Sequence, residues 1–128
     1  MSWQFNRHYT RDEARALLPQ VRAWIDQLSA LRQILNQSNR RWDSLLKEGQ
    51  DIGGDSVNRW VKTLCELKPL LQEFQKREIQ IKDLDRGLVD FPTILGGREV
   101  FLCWEKDEED IEYWHEIEAG YAGRERIK

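Results

Sequence analysis

The sequence predicts an α+β fold in which a long antiparallel helical hairpin is followed by a small antiparallel β-sheet. Over residues 11–76, apolar side chains recur at alternating three- and four-residue steps, which places them along one side of a helix. After Lys76 and Arg77 the spacing changes to two residues, as in a half-buried strand. A chain of 128 residues fits one domain. We therefore expect a single domain at 1–128, with the hairpin at 11–76, the sheet at 78–118 and a C-terminal tail.

The first helix should begin just after Thr10. Thr10 and Glu13 have the spacing of a capping box, in which the side chain of each residue accepts a hydrogen bond from the backbone N–H of the other. Pro19 lacks the N–H that would bond to the preceding turn, so it predicts a kink or a short separate segment. The apolar stripe of this helix consists of Ala14, Leu18, Val21, Ile25, Leu28, Leu31 and Leu35.

The second helix should follow a bend over residues 49–54, which contain three glycines. Asp55 or Ser56 can cap its N-terminus, and Pro69 should bend it. Its stripe is expected to face the first helix, with Val61 and Leu70 widening it. The predicted stripe consists of Val57, Trp60, Leu64, Leu67, Leu71 and Phe74.

The sheet should begin in residues 78–82, where polar and β-branched residues alternate. Residues 93–95 and 99–104 read as a hairpin joined by the turn-forming Gly96 and Gly97. Residues 105–118 hold eight carboxylates and the single cation Lys106, and we favour a solvated acidic turn over attraction to a basic segment. Residues 111–117 alternate again, which predicts a returning strand.

The balance of charge argues against a nucleic-acid partner, since 20 basic and 23 acidic side chains leave a net charge of −3. No apolar run approaches the length that spans a bilayer, and the N-terminus does not have the pattern of a signal peptide, so we expect no membrane association and a cytoplasmic location. Cys65 and Cys103 are too few for a disulfide framework and are predicted to be ordinary buried thiols. His8 is expected to lie in a mobile N-terminal segment.

Four segments together resemble the prokaryotic family catalogued as domain of unknown function 2203. They are the capped T-x-x-E-A-x-x-L-L-P opening at 10–19, K-D-L-D-R-G-L-V-D-F-P at 82–92, V-x-L-C-W at 100–104, and W-H-E-I-E-A-G-Y-A-G-R at 114–124. The third segment carries Phe101 at its variable position. The resemblance extends over nearly the whole chain and implies a small bacterial or archaeal cytoplasmic protein. It implies no activity and no catalytic residues.

Ionisable side chains gather in the last third of the chain and suggest a metal site. His115 could lie beside Asp83, Asp85 or Asp90 in a mixed nitrogen and oxygen site suited to zinc, manganese or iron. The alternative is a core histidine satisfied by a nearby carboxylate or carbonyl. Glu116 and Glu118 complete the set of candidate metal ligands, although on a strand both side chains would point away from His115.

Known metal motifs do not fit His115. The zinc-protease helix needs a second histidine four residues later, where this chain has Ala119. Glu112 and His115 have the Glu-x-x-His spacing of di-iron bundles, but that motif needs a helix, and the alternation here predicts a strand. The sequence therefore leaves open whether the protein is an enzyme.

Six tryptophans are many for so slender a fold, and Trp24, Trp42 and Trp60 lie on or beside the helical stripes. Because tryptophan is enriched at interfaces, we expect two hairpins to pair in a homodimer. Two functional hypotheses follow. The first is a homodimeric interaction or scaffold domain with a possible further protein partner, and the second is a metal-binding protein or metal-dependent enzyme.

Overall fold

The computed structural model describes residues 2–49 and 53–128, and it places two long helices before a five-stranded sheet. Helix α1 spans Arg11–Lys47 and helix α2 spans Gly54–Arg77. The strands are β1 (Gln80–Asp83), β2 (Leu88–Leu95), β3 (Arg98–Glu105), β4 (Tyr113–Glu116) and β5 (Glu125–Arg126), with a 3-10 helix at Tyr121–Gly123 before the last. Neighbouring strands pair antiparallel in chain order. The predicted α+β fold class is confirmed, and no helix of the described ranges has both the length and the apolarity to cross a bilayer.

Helix α1 begins where its cap predicts. The Glu13 backbone N–H donates to Thr10 Oγ1 at 3.1 Å, and the Thr10 N–H donates to Glu13 Oε1 at 2.9 Å. The helix continues through Pro19 without interruption, so the predicted alternative of a short separate segment is wrong. Burial is confined to its first half, where the buried residues are Ala14, Leu18, Val21, Trp24, Ile25 and Leu28.

The side of helix α2 that packs against α1 coincides only in part with the predicted stripe, of which Trp60, Leu67 and Phe74 are buried or half-buried. The half-buried residues of α2 are Ser56, Trp60, Leu67, Leu70, Glu73 and Arg77, and Thr63 and Phe74 are buried. Three residues of the predicted stripe, Val57, Leu64 and Leu71, are exposed instead. The spacing of the apolar residues was read correctly, but α2 carries two adjoining apolar rows, and spacing alone did not tell which row meets α1.

The ends of the hairpin also differ from prediction. Gly53 occupies the N-cap position without a side-chain hydrogen bond, so the cap predicted at Asp55 or Ser56 is wrong. Residues 50–52, the centre of the predicted bend, lie outside the described residues. At the other end of α2, Glu78 takes the left-handed conformation with φ of 57°, which turns the chain towards β1.

Strand β2 is longer than the strand predicted at 93–95 and takes in Asp90. The predicted turn is confirmed: Gly96 and Gly97 have φ of 58° and 78°, as a tight two-residue hairpin requires. The returning strand is also confirmed within narrower bounds, as β4. The short β5, paired with β4, was not predicted.

The sheet separates two layers of side chains. On one face Val89, Phe91, Leu102 and Trp104 join the buried first half of α1 in the main core. Because strand residues alternate between faces, Asp90, Cys103 and His115 lie on the opposite face. The site residues are therefore on the side of the sheet away from the hairpin.

The N-terminal segment lies across the sheet rather than extending freely, so the expectation of a mobile terminus around His8 is not supported. The Glu99 carboxylate accepts the backbone N–H groups of Gln4 at 2.8 Å and Phe5 at 3.0 Å, and His8 Nε2 lies 2.7 Å from it. Further on, the Tyr9 N–H donates to the carbonyl of Pro92 at 2.7 Å.

The acidic run is held by cations of the same chain. Arg15 makes two hydrogen bonds of 2.8 and 3.0 Å to the Asp110 carboxylate, and Arg124 makes two of 2.7 and 2.8 Å to Glu108. The Arg15 guanidinium holds the pKa of Asp110 below its usual range. The favoured interpretation as a plain solvated turn is thus wrong in part, because attraction to the basic first helix fixes the loop.

Candidate functional site

Three strands bring the side chains of Asp90, Cys103 and His115 together beneath the surface. Asp90 on β2 is the cross-strand partner of Cys103 on β3, and His115 on β4 pairs with Phe101, two residues before Cys103. Their exposed fractions are 1%, 0% and 2%. One oxygen, nitrogen or sulfur donor atom of each residue lies within 4.8 Å of the other two. We call this group the buried triad.

The hydrogen bonds of His115 fix where its protons lie. Nδ1 is 2.7 Å from the backbone carbonyl of Glu116, which can only accept, so Nδ1 carries a proton. Nε2 is 3.0 Å from Asp90 Oδ2, and a hydrogen bond there needs one more proton shared by the two groups. The pair thus carries no net charge, either as imidazolium with carboxylate or as imidazole with carboxylic acid.

Cys103 was not among the predicted site residues. Burial raises the pKa of its thiol well above the usual value, and the charge of Asp90 raises it further, so the sulfur is protonated and not a ready nucleophile. The alternation of residues 100–104 indicates which side of β3 it occupies, but its meeting with Asp90 depends on strand register. Cys65 is exposed on α2, so the expectation that both thiols are buried is wrong for Cys65.

Two of the predicted aspartates lie in the turn between β1 and β2, away from the buried triad. Asp83 Oδ1 accepts the backbone N–H of Arg86 at 3.2 Å and so stabilises the turn. Asp85 is exposed and lies 3.4 Å from Arg32 of α1. Neither carboxylate belongs to the group of possible ligands around His115 among the described residues.

The two predicted glutamates also lie elsewhere. Glu116 accepts a hydrogen bond from Arg98 on the neighbouring strand. Glu118 is exposed beyond the end of β4. Of the six predicted metal ligands, the structure brings together only Asp90 and His115.

Side chains from both ends of the chain cover the buried triad. The Phe101 ring, 5.5 Å from the His115 ring, is itself covered by Phe5 at 5.4 Å. Arg124 stacks on Tyr113 at 4.0 Å and on Tyr121 at 4.6 Å.

Two polar atoms of this region have no hydrogen-bond partner within the described residues, namely Asp90 Oδ1 and Arg124 Nε. The neighbouring Cys103 thiol offers the Asp90 carboxylate only a weak donor, so this buried oxygen is poorly satisfied, which is costly and calls for an explanation.

A second candidate site is the outer row of α2, formed by Val57, Val61, Leu64, Lys68 and Leu71. Its steps of four, three, four and three residues place these side chains along one side of the helix. The four apolar members are 39%, 46%, 38% and 44% exposed, in chain order. We call this row the outer stripe.

The fold and its sites define an α+β protein in which a protruding helical hairpin with an exposed apolar row is joined to a meander sheet containing a buried polar triad. The chain belongs to the family described as an uncharacterized conserved protein, DUF2203, whose profile matches residues 7–127. This confirms the resemblance found in the sequence. No curated protein and no solved structure matches the chain.

Proposed function

We propose that this protein is a homodimeric interaction domain, in which the helical hairpins of two copies pair along their outer stripes into a four-helix arrangement. The observation that carries the proposal is the exposed apolar row on α2. It is continuous over four helical turns, and it adjoins the line of contact between the two helices.

The outer half of the hairpin has little core of its own. Between Ser29 and Glu73, Thr63 is the only buried side chain among the described helical residues. Trp42 and Trp60 contact each other there, with ring centroids 5.5 Å apart, yet both stay partly accessible. Two helices alone bury one side each, and helices gain most of their stability from packing, so this half favours a further layer of helix.

A second copy fits the outer stripe because the stripe is nearly symmetric about Leu64, with Val57 and Leu71 seven residues to either side. If two α2 helices pair antiparallel around a two-fold axis at Leu64, Leu64 meets its own counterpart and Val57 meets Leu71. Val61, three residues before Leu64, lies beside Lys68 of the other copy, four residues after it, and the aliphatic stem of Lys68 can cover Val61 while its ammonium reaches water. One contact then covers the same surface on both copies, as a closed dimer requires.

The test is the mass of the untagged protein in solution, measured by light scattering and by sedimentation over a range of micromolar concentrations. Wild type should be a dimer. Leu64→Glu should raise the dimer dissociation constant about 30-fold or more, corresponding to loss of about 2 kcal/mol at a central contact. Two like charges would face each other at the symmetry axis.

Lys62→Glu is the matched control. It also adds a carboxylate to α2, but two residues from Leu64 and therefore about 200° around the helix. It should leave the dimer intact. A wild-type monomer, or equal weakening by both substitutions, would contradict the proposal.

A further inference from the structure

We propose that the buried triad is a binding site for one zinc-like divalent cation, held by the Asp90 carboxylate, the Cys103 thiolate and His115 Nε2. The site rests on residues of the sheet, not on the outer stripe, and is independent of dimer formation. Of the six ligands that the sequence suggested, the site keeps Asp90 and His115 and omits the other four. It adds Cys103.

The donor set selects the class of metal. An imidazole nitrogen, a thiolate and a carboxylate oxygen are the ligands that zinc takes in proteins, whereas magnesium and calcium prefer oxygen alone. Tetrahedral zinc with bonds of about 2.0–2.3 Å places its ligand atoms about 3.3–3.8 Å apart. The Nε2 to Oδ2 distance of 3.0 Å and the overall spread within 4.8 Å need only small side-chain movements to reach this.

The surroundings of His115 favour Nε2 as the ligand. Nδ1 is already committed to the Glu116 carbonyl, and a histidine that ligates metal through one nitrogen typically donates from the other to a carbonyl or carboxylate. That hydrogen bond fixes the ring with Nε2 directed towards Asp90.

Charge also fits. A carboxylate and a thiolate supply two negative charges, which balance a divalent cation in a buried site. Binding displaces two protons, one shared by Asp90 and His115 and one from the Cys103 sulfur. The cation would also satisfy Asp90 Oδ1, which has no hydrogen-bond partner among the residues the structure describes.

The charge of Arg124, which acts on the Cys103 thiol, does not oppose a bound cation, because the guanidinium makes two hydrogen bonds to the Glu108 carboxylate.

The experiment uses cobalt alone as a spectroscopic probe on the full chain without a histidine tag. Because the triad is covered, the protein is unfolded in denaturant with EDTA, freed of the chelator and refolded with Co²⁺. Wild type should bind one equivalent and show the ultraviolet charge-transfer absorption of a cobalt–thiolate bond. Cys103→Ser should lose that absorption, and loss of a ligand should weaken cobalt binding by more than the roughly tenfold that loss of an outer hydrogen-bond partner costs.

Cys65→Ser is the matched control, since Cys65 is the exposed thiol of the pair. It should retain both the absorption and the affinity. Circular dichroism shows whether each variant is folded. If Cys103→Ser does not fold, Asp90→Asn takes its place, because asparagine is nearly identical in shape to aspartate. Asp90→Asn should also lose affinity for cobalt. Absence of the absorption in wild type, or its loss in Cys65→Ser instead, would overturn the proposal.

Discussion

Replacing His115 with alanine should destabilise the protein severely, because it leaves the Asp90 carboxylate buried without a partner. His115 Nε2 and Asp90 Oδ2 are 3.0 Å apart, and both side chains are at most 2% exposed. Breaking a buried pair by removing one member costs about 3–5 kcal/mol. For a domain of this size, that lowers the melting temperature by roughly 10–20 °C.

The measurement is equilibrium unfolding in urea, followed by tryptophan fluorescence and circular dichroism, with EDTA present so that bound metal does not contribute. His8→Ala is the comparison, because His8 also contacts a carboxylate, at 2.7 Å, but its side chain is 19% exposed. It should lose about 1 kcal/mol.

A second substitution, Asp90→Asn, tests whether the cost comes from the buried charge of the carboxylate. Asp90→Asn alone should cost only about 1 kcal/mol, since the amide can still donate to His115 Nε2. Added to His115→Ala, it should restore about 1–2 kcal/mol, because an unpaired amide is less costly to bury than an unpaired carboxylate. If the double variant is less stable than His115→Ala, or if His115→Ala costs no more than His8→Ala, the interpretation of a coupled buried pair is wrong.

Three further outcomes are expected. Thr10→Ala should lower the free energy of unfolding by about 0.5–2 kcal/mol in urea titration through loss of the cap, with unchanged helix content. Gly87→Ala should lower the melting temperature measured by calorimetry, because φ is 65° and an added Cβ would lie 2.7 Å from the Lys106 side chain. Because Arg15 lowers the pKa of Asp110, their pairing stabilises the fold at neutral pH and is lost as the pH falls through the lowered pKa. Asp110→Asn should therefore flatten the acid side of the melting temperature plotted against pH, and an unchanged slope would contradict this.

Local signals account for the features of the fold that were correctly predicted. The capping box of Thr10 and Glu13 involves residues three apart, so it can be read without knowing the rest of the fold. The same holds for the Gly96–Gly97 turn and for the change from helical to strand spacing after Arg77. Errors arose where two apolar rows compete, as for Leu64, which belongs by spacing to a helix surface but not to the surface that meets α1.

Local sequence patterns are enough to predict the two helices and the strands that follow them, apart from the short β5, and to place His115 on one face of β4. They also make Asp90 and His115 candidates for one site. That Asp90 lies inside a strand, with Cys103 beside it, depends on long-range strand pairing. Cys103, the cross-strand partner of Asp90, lies 13 positions after it in the chain, and His115 lies 25 positions after it. A shift of register by one residue would have turned Cys103 to the hairpin side of the sheet. The register follows from how all the strands pack together, and no short stretch of sequence contains that information.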